Sequence, residues 1–592
     1  MTVDSPAQTA QTAQTAQTAQ TAQTARASDA DALEKLFGDA GDPANPVGAA
    51  EVVSADERGT MLAAGEELLH GFGLNAHFVP ESLGGRFGSL RDLITVMRAV
   101  YRRDPALGLG YGAGTFMAAV NVWAAGDGQQ RAELARRLLA GERAACAYHE
   151  LAHGNDFSRA ELTALPGPDG RLMINGRKEV VANLRRAETI LLFARTDLAP
   201  GSRSHSQLLV DAAGPAPGSI RHLERYETTG MRGVPLGGIE FTDCAVPADR
   251  VVGSPGQGVE TALRSFQLSR IALPGMTVGL LDTALRTALR GARGRRLYSG
   301  TVTDLPLSRS ILADAFADLL LADTFLTVAA RACHTATAQA GVYASAVKSF
   351  VPKVLMGAVY RLSELLGSQF YLRGGEQPLF QKLLRDVQPS AFGHASRVSC
   401  QSALLSQLPL TARRTWLRPT AAALPVETFR PGQPLPALPF DRLAVTAGGR
   451  DPLARSLVEG AGAATTGEDG AITAAARMWC GELSGLATEA AALGHDSLGP
   501  AAPPAAFGLT DRWAAVLAAS AVLGTWWHRP AGSTGFDADP ARVRALLHRI
   551  GAHRGLHRDP LPPALAEPLF AELVRRSDAG LTFDNDCLPS GA

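Results

Sequence analysis

The chain has 592 residues, with 57 basic and 57 acidic side chains, 46% hydrophobic residues and 19% charged ones. That length exceeds a single ordinary core and calls for about three or four structural units. A formal net charge of zero gives no global attraction to nucleic acid or an anionic membrane, and the composition is that of a soluble globular protein.

Within residues 1–28, positions 8–25 are six tandem Gln-Thr-Ala copies with no large apolar residue to bury, so a disordered tail is expected. No basic region followed by an apolar core stands there, so a secretory signal is not expected. Six cysteines without CxxC spacing fit reduced thiols in a cytoplasmic protein better than a disulfide frame or a zinc site. Over 29–145 apolar residues recur three and four apart, as in Leu90, Leu93, Ile94, Met97 and Val100, which predicts helices. The turn Val79-Pro80-Glu81-Ser82-Leu83-Gly84-Gly85 and Pro105 interrupt them. From 146 to 252 short runs such as Thr189–Phe193 and Gln207–Val210 alternate with Gly, Pro and Asp, the pattern of a β-barrel or sandwich. Helical spacing returns over 253–415, broken at Ser299–Pro306 and Arg373–Pro378. A proline-rich linker at 416–440 then leads to a helical extension at 441–592 with its own apolar faces. The apolar run Trp513–Trp527 is shorter than the roughly 20 residues of a membrane span, so no span is expected. Trp479, Trp513, Trp526 and Trp527 read as helix-packing residues.

The segment Cys146–Asp156, CAYHELAHGND, is followed by Gly176-Arg177-Lys178 and then Asn183. A polar, Gly-containing turn joined to a compact β segment can present backbone N–H groups and short side chains to a flat, electron-poor ligand. Around it, in order, stand Val79–Gly85, Gly141-Glu142, Gly230-Met231-Arg232, Phe241–Pro247, Gly256-Gln257-Gly258, Arg295–Ser299 and Arg385–Ser396. Together, over about 45–410, these segments resemble the acyl-CoA dehydrogenase superfamily, in a form lengthened by a helical region. The resemblance implies an α+β fold with an N-terminal helical domain, a middle β-barrel, a C-terminal four-helix bundle and the helical extension.

It also implies FAD between barrel and bundle, held by Tyr148, His149, Asn155, Val180, Ala182, Arg295 and Ser396. His149, Asn155, Val180 and Ala182 stand where the family usually has Thr, Ser, Trp and Thr. His149 lies either beside the flavin ring or packed in the barrel. Arg295 matches the arginine that reaches the cofactor pyrophosphate across a subunit interface, a task suited to a guanidinium's paired bonds. A homodimer or homotetramer is therefore implied. His149 and His153 flank Glu150, but no third converging ligand is visible, so no metal is expected.

In the family a glutamate in the segment matched by Arg385–Ser396 removes the substrate α-proton; here that position is His394. Some relatives carry the base on the first bundle helix instead, where this chain has Ser269. Glu376 is the nearest other carboxylate. Burial raises a carboxylate's basicity, whereas imidazole titrates near neutrality and turns cationic when it takes a proton. Three readings stay open. The first is α,β-dehydrogenation of an acyl thioester on CoA or acyl carrier protein, with electrons passed to a partner protein or O₂. The others are a monooxygenase using reduced flavin, and a flavin-free scaffold or partner-binding subunit.

Overall fold

Five helices follow the apolar spacing of residues 45–140: α1 (Ala49–Arg58), α2 (Ala63–Phe72), α3 (Leu90–Arg103), α4 (Gly114–Ala125) and α5 (Gly128–Leu139). The computed structural model describes residues 29–167, 169–199, 201–463 and 469–591, so the Gln-Thr-Ala tail expected at 1–28 lies outside the described residues. Ser89 caps α3, its hydroxyl accepting from the Asp92 N–H at 3.1 Å, and Leu90, Leu93, Ile94, Met97 and Val100 are buried. Pro105 opens the next turn, where its missing N–H costs nothing, and Asp104 caps that turn. The Val79–Gly85 turn folds so tightly that a Cβ on Gly85 would sit 2.0 Å from the Val79 carbonyl oxygen.

Eight strands follow: β1 (Ala144–Ala147), β2 (Thr163–Pro166), β3 (Leu172–Ala182), β4 (Thr189–Arg195), β5 (His205–Asp211), β6 (Ile220–His222), β7 (Leu236–Val246) and β8 (Val251–Val252). They form one mixed sheet in the order β6-β7-β3-β2-β4-β5-β8, with β1 parallel to β4 off that path. Among the described residues β6 and β8 do not pair, so hydrogen bonding leaves the expected barrel open. β4 is a near-continuous apolar run because both its faces are covered: Ile190, Leu192 and Ala194 enter the sheet's own core, while Leu191 and Phe193 join the helical core.

The bundle consists of α6 (Gly258–Gly294), α7 (Pro306–Thr335) and α8 (Ala340–Leu366), with its fourth place filled by shorter pieces, α9 (Gln377–Asp386) and α10 (Arg397–Leu405). α3 lies along α6. The extension adds α11 (Pro452–Ala463), α12 (Gly470–Ala491), α13 (Pro504–Trp527), α14 (Pro540–Arg554) and α15 (Pro563–Asp578). α13 is apolar around its whole circumference and is therefore covered on several sides, by α7, α8, α11, α12 and α14. At 24 residues it exceeds the apolar run read from sequence; by length and composition it and Thr337–Tyr371 are long enough to cross a membrane, with 78% and 83% of their apolar windows buried in the protein.

The expected linker is a strap rather than a spacer. Arg331, 2% exposed, donates to the carbonyls of Glu427, Pro431 and Gln433, and His334 Nδ1 donates to the Pro436 carbonyl. Residues 582–591 then return to the N-terminal helices. Arg98 pairs with Asp323 at 2.5 Å and lies 3.6 Å from Asp584, while Arg102 reaches Asp282 and Asp584, each at 3.2 Å, and also Glu34. The extension is accordingly no separate module; its apolar side chains share one core with the bundle and the N-terminal helices.

Candidate functional site

The site begins with an irregularity in β3. Pairing with β7 shifts between Lys178 and Val181, one extra residue standing on β3. Without that bulge Lys178, Val180 and Ala182 would share a face. With it, Lys178 and Val181 both turn into the interior, and Val180 and Ala182 line the opposite, half-open face. The Cys146–Asp156 segment is fastened beside them. The Glu179 N–H donates to the His149 carbonyl at 3.1 Å. Glu150 receives Lys178 Nζ at 2.7 Å and the N–H groups of Glu161 and Leu162. Burial raises the Glu150 pKa, but the Lys178 charge and these bonds outweigh it and hold the carboxyl below its usual range. Glu150 and Lys178 thus form a buried brace, with side chains 7% and 0% exposed.

The loop after α9 brings the second half. Asp386 accepts from the Met231 N–H at 2.5 Å, and Arg385 pairs with Asp56 at 2.6 Å. A Cβ on Gly230 would sit 2.6 Å from the Arg385 carbonyl oxygen, so only glycine allows this approach of the Gly230–Arg232 and Arg385–Asp386 segments. Lys348, buried in α8, donates to the carbonyls of Ser390 and Gly393 at 2.7 and 2.9 Å. That clamp precedes His394, which sits at φ 66 with its ring edge-on to Phe266, centroids 4.0 Å apart. His394 Nε2 is closed off and has no hydrogen-bond partner among the described residues.

Burial, and then the fields of His149, Arg270 and Lys348, push the His394 pKa well below its ordinary value. His149, whose Nδ1 contacts the Gly154 carbonyl, is also lowered, first by burial and then by Lys178 against that bond. Burial lowers Lys348 to about 8. Arg270 is 8% exposed and makes no hydrogen bond or ion pair among the described residues. The arrangement is a pair of neutral imidazoles in a positive field, with no carboxylate among the groups perturbing His394. Such a setting favours negative charge appearing beside it.

Of the predicted residues, His149 is fastened to β3 next to Val180 and acts electrostatically on His394, and Val180 and Ala182 share the half-open face of that strand. The Tyr148 ring lies between Phe193 and Phe266, and its hydroxyl donates to Asn121 Oδ1 at 3.1 Å, so its side chain belongs to the core. Asn155 is exposed on the turn. Ser396 caps α10, accepting from the Ser399 N–H at 3.2 Å. Arg295 stands at the C-terminal end of α6, donating to the Leu366 carbonyl at 3.2 Å, apart from the histidines within one chain. Ser269 is buried and bonded to the Phe266 carbonyl, and Glu376 is an exposed residue paired with Arg290 at 3.1 Å, so neither carries a base into the site. Sequence reasoning missed Arg270 and Lys348. Arg270 was visible only as the neighbour of Ser269, and Lys348 gave no signal within an apolar helix.

Comparison with known proteins agrees with this geometry. Residues 145–244 match the family model "Acyl-CoA dehydrogenase, middle domain" and residues 256–394 match "Acyl-CoA dehydrogenase, C-terminal domain". The chain is 27% identical over 268 residues to mitochondrial isovaleryl-CoA dehydrogenase of Oryza sativa subsp. japonica, covering 45% of this chain and 64% of that one. It is 27% identical over 260 residues to the human mitochondrial short-chain specific acyl-CoA dehydrogenase, covering 44% and 62%. It thus spans less than two thirds of the length of these curated relatives. In fold it is similar to butyryl-CoA dehydrogenase from Megasphaera elsdenii, at TM-score 0.58 and 19% identity over 65% of this chain and 98% of that one. An acyl-CoA dehydrogenase complexed with FAD from Bacillus anthracis is similar over nearly the whole length, at TM-score 0.70 and 15% identity over 94% and 95% of the chains. Both family domains thus match in sequence order and on the matching fold, which supports the acyl-CoA dehydrogenase superfamily for this chain.

Proposed function

We propose that the protein is an FAD-dependent oxidoreductase that dehydrogenates an acyl thioester at its α,β-carbons. The observation that supports this reading is His394, an imidazole kept neutral in the field of His149, Arg270 and Lys348 and held in a loop that Lys348 fastens at the Ser390 and Gly393 carbonyls. The residues present fit a flavin. Small side chains at 180 and 182 leave room for a flat ring, and both amide atoms of the buried Asn183 lack partners among the described residues. That orphaned amide suits a ring edge that both donates and accepts.

A bound flavin supplies the acceptor for the substrate's β-hydride. The remaining work falls to the chain. The neutral His394 ring takes the α-proton as the C–H bond breaks. Arg270 and Lys348 stabilise the negative charge that grows on the thioester carbonyl oxygen. The same cations disfavour the imidazolium, so the site suits a thioester whose α-proton is already acidic. Arg295 lends its guanidinium to a neighbouring subunit of a homodimer or homotetramer, and electrons leave to a partner protein or O₂.

The suppressed basicity of His394 also favours a second reading, in which reduced flavin and O₂ oxygenate a substrate and His394 only orients it. Anaerobic mixing of the FAD-loaded protein with acyl-CoA thioesters separates the two. Under dehydrogenation the flavin absorbance bleaches without a reductase, and His394→Ala slows bleaching by about 10²-fold or more. Bleaching unaffected by that substitution removes His394 from the reaction. Protein that takes up no FAD sinks both enzyme readings.

A further inference from the structure

A cavity of about 530 Å³ opens between α7, α13, α14 and the 429–433 stretch of the strap. Its size falls within the roughly 300–1,000 Å³ of small-molecule sites. No element carrying His149 or His394 lines it. Val328, Val522, Leu546 and Trp526 give it an apolar floor, and four arginines and two aspartates stand around it. The carboxylates are already engaged, Asp586 by Arg91 and Asp537 by Arg542 at 3.4 Å. That leaves Arg430 and Arg529, which among the described residues bond only to carbonyls, of His528 and Trp526 respectively. The Arg529 guanidinium lies 3.6 Å from the centroid of the Trp526 ring, whose Nε1 is buried without a partner among the described residues. Two guanidiniums without a carboxylate beside an apolar floor call for an anion attached to an apolar body.

We propose that this cavity binds a small amphipathic oxyanion, its acyl or aryl body against Val328, Val522 and Leu546 and its carboxylate or phosphate between Arg430 and Arg529. Trp526 makes the site self-reporting. The full-length protein is titrated with sodium decanoate below its micelle-forming concentration, following tryptophan fluorescence and calorimetric heat. One saturable site per chain is expected. Gln433→Glu sets a competing carboxylate on the lining and Arg430→Gln/Arg529→Gln removes the cations; each weakens binding by about tenfold or more. 1-Decanol, with the same body and no charge, binds at least about tenfold more weakly than decanoate. His394→Ala leaves the affinity unchanged. Absence of saturable binding overturns the proposal, as does undiminished affinity in Gln433→Glu protein that melts like the parent. So does decanol binding as tightly as decanoate, or loss of binding in His394→Ala.

Discussion

His334 shows how one side chain can be confined to a single protonation state. Its Nε2 accepts the Leu90 N–H at 3.2 Å, so the ring proton must sit on Nδ1, which donates to the Pro436 carbonyl at 2.8 Å. A second proton would set two N–H groups against each other in a site 4% exposed. Burial accordingly lowers its pKa from 6.5 to about 4. The unfolded chain therefore binds the proton more readily than the folded one, and stability falls as pH drops from 6.5 toward 4. Between pH 7 and pH 5 the loss from this residue is about 2 kcal/mol. Calorimetric melting across that range should show a shallower acid decline in His334→Phe than in the parent. Nothing local to His334 hints at this role, because it depends on a strap 102 residues away. His149 and His394 were legible for the opposite reason: each sits in a motif whose register could be counted. Arg270 could not be weighed that way, since its interest lies in the partners it lacks.

Among the elements, α11 and α13 are joined through a buried carboxylate. Asp451 Oδ2 accepts the indole N–H groups of Trp416 and Trp513 at 2.9 and 2.8 Å, and Oδ1 accepts from the Ala454 N–H in the first turn of α11. Removing the acceptor strands two buried donors and one helix-start N–H. Asp451→Ala should cost about 3–5 kcal/mol, while Asp451→Asn, which keeps a carbonyl oxygen, should cost less than half as much. Melting temperatures of the two variants against the parent check this. The tryptophans themselves were readable as packing residues, but the carboxylate that organises them was not, since nothing local marks an aspartate as buried. The bulge in β3 was equally silent. Period-two alternation would have placed Val180 beside Lys178, and only pairing with β7 turns it to the open face.

For the whole molecule, the order helices, strands, helices was legible because the apolar period changes from 3.6 to 2 and back. What was not legible is that the extension closes onto the beginning. Three arginines of α3 are buried, and Asp584, 3% exposed, serves two of them. Burial opposes ionisation of Asp584, but Arg102 and Arg98 overcome it and hold its pKa low. Asp584→Ala should cost about 3–5 kcal/mol, because it leaves buried positive charge short of a partner. Denaturant titration is the measurement, and a variant as stable as the parent would show that Glu34, Asp282 and Asp323 suffice alone.

This closure also bears on when the protein can finish folding. Arg102 and Asp584 are 482 positions apart, and synthesis delivers the chain at about 5–20 residues per second. For much of a minute, α3 exists with its arginines but without Asp584 and Asp586 to meet them. During that interval it cannot settle into its final place and must be kept from other contacts. A chain interrupted before residue 584 carries the fault at its opposite end, in a helix already made.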